Sequence, residues 1–305
     1  MSITLSAPQS FTGEFPDGAL IQNKWSIYRK RRTDIWRARI GSKEVALRGF
    51  RTDSMTEKAL KEFKEEIHNL SWMNHPNILP FLGVVRDTNS DNPRCIVSPW
   101  QLNGDILCYV QWAEPPTLVR LHLLTRASKG LVFLHEIDMA HGYLKPTHIL
   151  VSDDTDALIC DMGATEADER TAADRETCWL APEALGSALL QVRLELSDEQ
   201  ACDVYSFGMI MYACLAGFKP FAELKTSALM YAKIYKGTKP RRESDEWRQK
   251  WKKNWCTDEM WNLMMRCWST NPKERPSMKE VHKELETIER REMTLEYMLS
   301  STCCI

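Results

Sequence analysis

The sequence predicts an α+β chain in two parts, a small strand-rich segment with one helix and a larger, mainly helical one. Three observations predict it. Up to residue 50, short runs alternate apolar and polar residues, as half-buried strands do. In the first hundred residues only Leu60, Phe63, Ile67 and Leu70 recur at helical spacing. Beyond Pro115-Pro116, spacings of three and four dominate. With 305 residues, 43% of them hydrophobic and 27% charged, the chain can bury sizeable cores without disulfide staples.

The elements follow in order. Residues 1–23 carry Pro8, Gly13, Pro16 and Gly18 with little periodicity and read as an irregular lead-in. Lys24 to Tyr28 and Ile35 to Ile40 alternate as strands, Gly41-Ser42-Lys43 turns, and Glu44 to Phe50 is a third strand. The helix through Leu60 and Leu70 comes next, then short apolar runs at Asn77 to Val85 and Cys95 to Val97 read as two more strands. Pro115-Pro116 opens a long helix with Leu118, Leu121, Leu131 and Leu134 on its buried face. Ile149 to Val151 and Ala157 to Cys160 are short strands, and helices are predicted over 201–216, 225–236, 257–268 and 277–297. The parts are 1–23, 24–100, 101–290 and a tail, 291–305, ending Cys-Cys-Ile.

Composition narrows the function. Forty basic against 42 acidic residues leave a net charge of −2, which argues against nucleic acid bound by bulk electrostatics. The ten cysteines are scattered with no Cys-x-x-Cys pair, so zinc-finger and thiol-redox motifs are absent. Several lie in apolar runs, where Cys acts as a small hydrophobe, and a reduced, cytoplasmic setting is expected. No signal-peptide pattern is visible, and the longest uncharged apolar run, about Ser206 to Phe218, is shorter than a membrane span.

Eight short stretches, in order, resemble the protein-kinase motif set. Val45-Ala46-Leu47-Arg48 resembles Val-Ala-Ile-Lys. Glu66 stands in the helix whose Glu pairs with that Lys. His75-Pro76-Asn77 with Leu79 to Val84 resembles tyrosine-kinase-like members. His141 to His148 stands in place of His-Arg-Asp-Leu-Lys-Pro-x-Asn. Asp161-Met162-Gly163 resembles Asp-Phe-Gly, and Ala181-Pro182-Glu183 is intact. Asp203 to Gly208 and Asn271 to Ser277, after Cys267-Trp268, resemble the late signatures. The resemblance spans residues 24–286 and implies the bilobal protein-kinase fold of the tyrosine-kinase-like (Ser/Thr) branch, with ATP and Mg²⁺ as its cofactors.

Within that resemblance the departures bear on catalysis. The phosphate-covering Gly-x-Gly-x-x-Gly becomes Tyr28, Lys30 and Thr33, and no Gly lies between Gly18 and Gly41. Gly is needed there because backbone N–H groups approach phosphate closely. Arg48 replaces the phosphate-binding Lys with a broad planar fork that can pair with Glu66. Tyr143 replaces the catalytic Asp, and a phenol with an ordinary pKa near ~10 is a poor base at pH 7. Losing a general base costs ~10²–10⁴-fold. His148 replaces the Asn that holds a second Mg²⁺, an ion that prefers oxygen. Gly142 replaces an Arg that meets phosphorylated activation loops. Three features survive: Asp161 as a Mg²⁺ ligand, Lys145 as the phosphate-contacting Lys, and the Glu183–Arg275 brace. By resemblance the nucleotide-binding positions are Lys30, Ala46, Arg48, Glu66, Ser98 and Gln101, and Asp203 is structural.

The bland alternatives stay open beside these. Asp161 is either a ligand or a capped turn residue, and His148 either a ligand or a packed polar side chain. Trp247, Trp251 and Trp255 share one helical face that serves either packing or a partner. Thr165, Thr171 and Thr177 are candidate phosphorylation sites. Cys303 and Cys304 are either lipidated or plain thiols, since Thr302 occupies the prenylation position. The leading expectation is a catalytically impaired pseudokinase that scaffolds or biases a protein partner, such as an active kinase, with ATP optional. The alternatives are an active Ser/Thr kinase, with Lys30 and either water or Asp161 standing in, and a lipid-anchored adaptor, which alone would place the chain at a membrane.

Overall fold

The computed structural model describes residues 2–5, 20–21, 28–29, 33–50, 56–87, 92–162, 177–190, 194–242 and 256–302. The chain divides into two compact units, residues 1–102 and 103–305.

The first unit is a sheet with one helix. Its strands are β1 (Ser2–Leu5), β2 (Leu20–Ile21), β3 (Tyr28–Arg29), β4 (Thr33–Ile40), β5 (Lys43–Phe50), β6 (Gly83–Asp87) and β7 (Pro93–Pro99), in the order β1-β6-β7-β5-β4-β2, with β3 also on β4. Alternation in β4 buries Trp36 and Ala38, which join Val45, Leu47, Val85, Cys95 and Val97 in one core. Helix α1 (Glu57–Trp72) is capped by Thr56, whose hydroxyl accepts from Ala59 N–H at 3.1 Å, and buries Ala59 and Phe63. Two expectations change here. The lead-in is not wholly irregular, because Ser2-Ile3-Thr4-Leu5 pairs in parallel with β6. The run from Asn77 to Val85 becomes a strand only at Gly83.

In the second unit α5 (Leu196–Ala216) is buried almost all round from Cys202 to Ala216, as the central helix of a core must be. It starts five residues before the predicted 201, with Asp198 and Glu199 in its first turn, where acids suit the helix dipole. Around it stand α2 (Ile106–Ala113), α3 (Thr117–Glu136), α4 (Pro182–Leu190), α6 (Ser227–Tyr235), α7 (Asp258–Cys267) and α8 (Met278–Thr302), with the hairpin β8 (Ile149–Val151) and β9 (Ala157–Ile159). Gly208 lets α5 approach Trp268, since a Cβ there would lie 2.7 Å from Trp268 Nε1. Buried Arg120 ties the start of α3 to the end of α5: it donates to the carbonyls of Pro115, Cys214 and Leu215 at 2.9, 3.1 and 3.2 Å. A cation on last-turn carbonyls also complements the dipole of α5. The last helix, predicted over 277–297, runs on through Thr302. No helix among the described residues is long and apolar enough to cross a membrane. Cys95, Cys160, Cys178, Cys202, Cys214, Cys256 and Cys267 are buried, and burial pushes the Cys95 and Cys267 thiols up to about 12, so they behave as inert packing groups.

Candidate functional site

Predicted site residues lie in each unit. In the first, antiparallel pairing sets Arg48 opposite Ile35 of β4 and Ile96 of β7, and Ala46 opposite Ser98. Arg48 Nη2 donates to Glu66 Oε1 of α1, and the two side chains are only 13% and 9% exposed. This ion pair ties the sheet to its helix and commits a guanidinium nitrogen to protein. Past β7, Trp100 N–H donates to the Glu44 carbonyl at 3.1 Å, and the Gln101 side chain reaches the Pro99 carbonyl at 3.4 Å. Tyr28 pairs with Ile35 through the β3–β4 ladder. Lys30 lies outside the described residues, as do Thr165, Thr171, the Trp247, Trp251 and Trp255 stripe, and Cys303 and Cys304.

In the second unit the loop after α3 hangs on one carboxylate. Asp203, 1% exposed at the start of α5's buried stretch, accepts from His141 N–H at 2.7 Å, Gly142 N–H at 3.0 Å and His135 Nε2 at 3.0 Å. Gly142 turns at φ +81°, a region that favours glycine. His141 donates from Nε2 to the Cys160 carbonyl at 3.0 Å, and burial, opposed by the Asp203 charge, holds it below the ordinary imidazole range.

Tyr143 is 5% exposed, and Lys145 Nζ lies over its ring, 4.4 Å from the centroid. That is a cation–π contact on a side chain itself only 5% exposed. His148 is fully buried. Its Nδ1 donates to the Tyr143 carbonyl at 2.9 Å, its ring stacks on His141 at 5.4 Å and 10°, and Tyr143 meets it edge-on at 5.9 Å. Its Nε2 lies 3.7 Å from Asp161 Oδ2. Asp161 sits at φ +57°, a conformation uncommon outside glycine. The structure therefore brings Tyr143, Lys145, His148 and Asp161 into one cluster.

The brace between α4 and the chain near α7 is built from Glu183 and Arg275. Arg275 donates to Glu183 through Nη1 at 2.5 Å and Nη2 at 2.9 Å, and to the carbonyls of Ala201 and Ser269, each at 2.9 Å. Its guanidinium also covers the Tyr205 ring at 5.1 Å. Thr177 is only 3% exposed, so as a phosphorylation candidate it is corrected: the hydroxyl is inaccessible without local opening. Sequence reasoning missed His135 as a partner of Asp203 and Arg120 as a buried cation. A His in the last turn of α3 was the available signal for the former.

The resemblance implies ATP and Mg²⁺, and the residues fit them unevenly. The Asp161 carboxylate suits Mg²⁺, which takes oxygen ligands, whereas the imidazole nitrogen of His148 does not. Comparison with known proteins gives a consistent result. The sequence model of a family described as protein tyrosine and serine/threonine kinase matches residues 26–285. The human mitogen-activated protein kinase kinase kinase 7 is 31% identical over 81% of this chain and 38% of its own length. The Arabidopsis thaliana serine/threonine/tyrosine-protein kinase HT1 is 25% identical over 93% of this chain and 67% of its own. A putative serine/threonine-protein kinase/receptor of Acanthamoeba polyphaga mimivirus is 27% identical over 84% of this chain, which spans only 15% of that protein.

Proposed function

The chain belongs to the protein tyrosine and serine/threonine kinase family, with a domain of tyrosine-kinase-like type, and from that premise we propose that it is a pseudokinase, a domain whose phosphotransfer is lost or very weak and which acts by binding. One observation carries the reading. At the position of the catalytic carboxylate stands a buried phenol, Tyr143, with the Lys145 ammonium held over its ring. A family reaction needs a carboxylate there to accept the proton of the substrate hydroxyl, and a cation aimed at the transferred phosphate. Tyr143 supplies no carboxylate, and Lys145 rests on an aromatic face instead. Arg48 keeps the family's pairing with the helix Glu through Glu66, so that pair is architectural and does not bear on the loss of transfer.

ATP and Mg²⁺ would bring a nucleotide and its charge-neutralising ion. Of this chain's residues, Asp161 would hold the ion, and Arg48, Ala46, Ser98 and Gln101 would line the nucleotide position by family correspondence. The function proposed is scaffolding or allosteric regulation in signalling through protein partners, including an active kinase, in the cytoplasm, without nucleic acid.

The test is phosphotransfer from labelled ATP beside thermal unfolding with ATP, each with and without Mg²⁺. We expect no transfer above background. Nucleotide at ~100 times its Kd would add ~2.7 kcal/mol, several degrees at roughly 2–4 °C per kcal/mol for a chain of this size. Transfer abolished by Asp161→Ala would overturn the reading in favour of an active Ser/Thr kinase, which the retained Asp161 favours.

A further inference from the structure

The sheet of the first unit ends on one side in a strand brought from far away in the chain. Without β1, the edge would be β6, since the strand order runs β1-β6-β7-β5-β4-β2. We propose that the outer side of β6 is a strand-addition site for an extended segment of a partner protein, and that Ser2–Leu5 occupies it in cis and competes with that partner. The proposal rests on the reading of a domain that acts by binding, and adds to it one surface and the chemistry of what fits there.

This edge is one that needs a cover. Successive residues of a strand face opposite sides of the sheet, and Val84 and Val85 are 6% and 0% exposed. A strand apolar and buried on both faces belongs inside a sheet. Left open, its row of N–H and C=O groups is a template for another chain. No Pro stands in Gly83-Val84-Val85-Arg86-Asp87 to blunt it. On its β7 side β6 carries a register shift between Val85 and Arg86. The pairing with β1 nevertheless runs past it unbroken, Ser2 to Val84, Ile3 to Val85, Thr4 to Arg86 and Leu5 to Asp87.

The cis strand shows what the occupant must be. It adds in parallel and in one register, so an occupant runs in the direction of β6. Ser2-Ile3-Thr4-Leu5 alternates hydroxyl and aliphatic residues, with Ile3 and Thr4 β-branched, a strand-forming pattern. The register sets Ile3 against Val85, a member of the core, so an aliphatic residue belongs at that position in any occupant. Main-chain hydrogen bonds then supply affinity, and alternate residues supply selectivity.

Covalent attachment gives the cis strand its advantage. β2 lies at the opposite edge, five strand spacings of ~4.8 Å or about 24 Å away. Residues 6–19 join the two strands, and a chain of that length reaches up to about 46–50 Å. Such a tether presents Ser2–Leu5 at an effective concentration on the order of millimolar. A partner strand displaces it only above that level or with further contacts.

The test reads amide hydrogen exchange in the full chain, at the β6 amides not bonded to β7, with acetyl-Ser-Ile-Thr-Leu-amide as the probe. In the parent, peptide below about 1 mM should leave these amides unchanged. The double variant, Ile3→Pro with Thr4→Pro, removes two N–H groups from β1 and should speed their exchange by roughly tenfold or more. Ala38 and Leu47 should stay protected in it, as a check on the sheet's own core. Peptide at roughly 5 mM, above the cis strand's effective concentration, should restore protection in the variant, and the same peptide carrying both prolines should not. Should the double variant unfold the sheet, the single variant whose N–H faces β6 should reproduce the effect. Unchanged β6 exchange in the variants, no restoration by the peptide, restoration by the proline peptide, or equal responses of parent and variant at low peptide would each overturn the proposal. A concentration-dependent dimer of the parent in light scattering, lost in the double variant, would assign the edge to Ser2–Leu5 of a second copy and overturn the partner reading. Phosphotransfer is measured separately, so this site and the pseudokinase reading can fail independently.

Discussion

At Tyr143 the aromatic ring has two structural tasks, supporting the Lys145 ammonium on one face and meeting the His148 ring with its edge. Tyr143→Phe keeps both and should cost less than Tyr143→Ala, which removes a buried ring and should cost about 3–5 kcal/mol in urea unfolding. A loss as large in Tyr143→Phe would mean that the hydroxyl, and not the ring, holds this loop. Arg48 and Glu66 make a similar case in the smaller unit. Removing Arg48 strips the nearly buried Glu66 of this partner, so Arg48→Ala should cost about 3 kcal/mol. A variant as stable as the parent would remove the structural role assigned to the pair. The motif positions of these residues were legible in the sequence. The contacts were not, because Lys145 on Tyr143 and His148 beside Asp161 depend on how the loop after α3 is hung from Asp203.

Elements in this chain are limited by how closely they approach. Gly208 is the clearest example, since α5 and Trp268 meet where a Cβ would lie 2.7 Å from Nε1 and 2.9 Å from Cys267 Cβ. Gly208→Ala should therefore destabilise by about 1–3 kcal/mol despite alanine's better helix propensity. A gain in midpoint would show that Trp268 can withdraw without cost. The α3–α5 tie fails by a different route. Arg120→Met removes the donor to three carbonyls in a buried place, and unsatisfied acceptors make the expected cost about 2–4 kcal/mol, read from the same unfolding curves. Periodicity placed α1, α3 and α7 well because their apolar spacing is local. It set the start of α5 late, because its first turn is polar and helical mainly by its acidic residues, and it missed β1, whose partner β6 lies about eighty residues away in sequence.

For the whole molecule, His282 of α8 is expected to shape the acid limb of stability. Its Nδ1 lies 2.9 Å from Ser128 Oγ of α3, and its Nε2 is 3.7 Å from Glu286. Burial holds His282 below its ordinary value; Lys129 and Arg126 push the same way, and Glu286 and the Thr125 backbone oppose them. The unfolded chain then binds the proton first, so the stabilisation is complete above about pH 6.5 and is lost as pH falls from there toward the folded-state value. Unfolding midpoints at pH 7.5 and 5.5 should differ more in the parent than in His282→Gln, and equal slopes would dismiss the histidine.

The sequence by itself determined the α+β class, the family, the order of the elements and the residue types that depart from the family's catalytic set. These follow from local periodicity and from short motifs, each read over a few neighbouring residues. Only the tertiary structure decided what those departures do: Tyr143 buried beneath Lys145, Thr177 shut from solvent, Arg120 held on the carbonyls of a distant helix, and His148 Nε2 aimed at Asp161. The physical reason is range. Period and motif are properties of adjacent residues, whereas burial, tautomer and donor distance are set by side chains far apart in the chain that packing brings within a few ångströms.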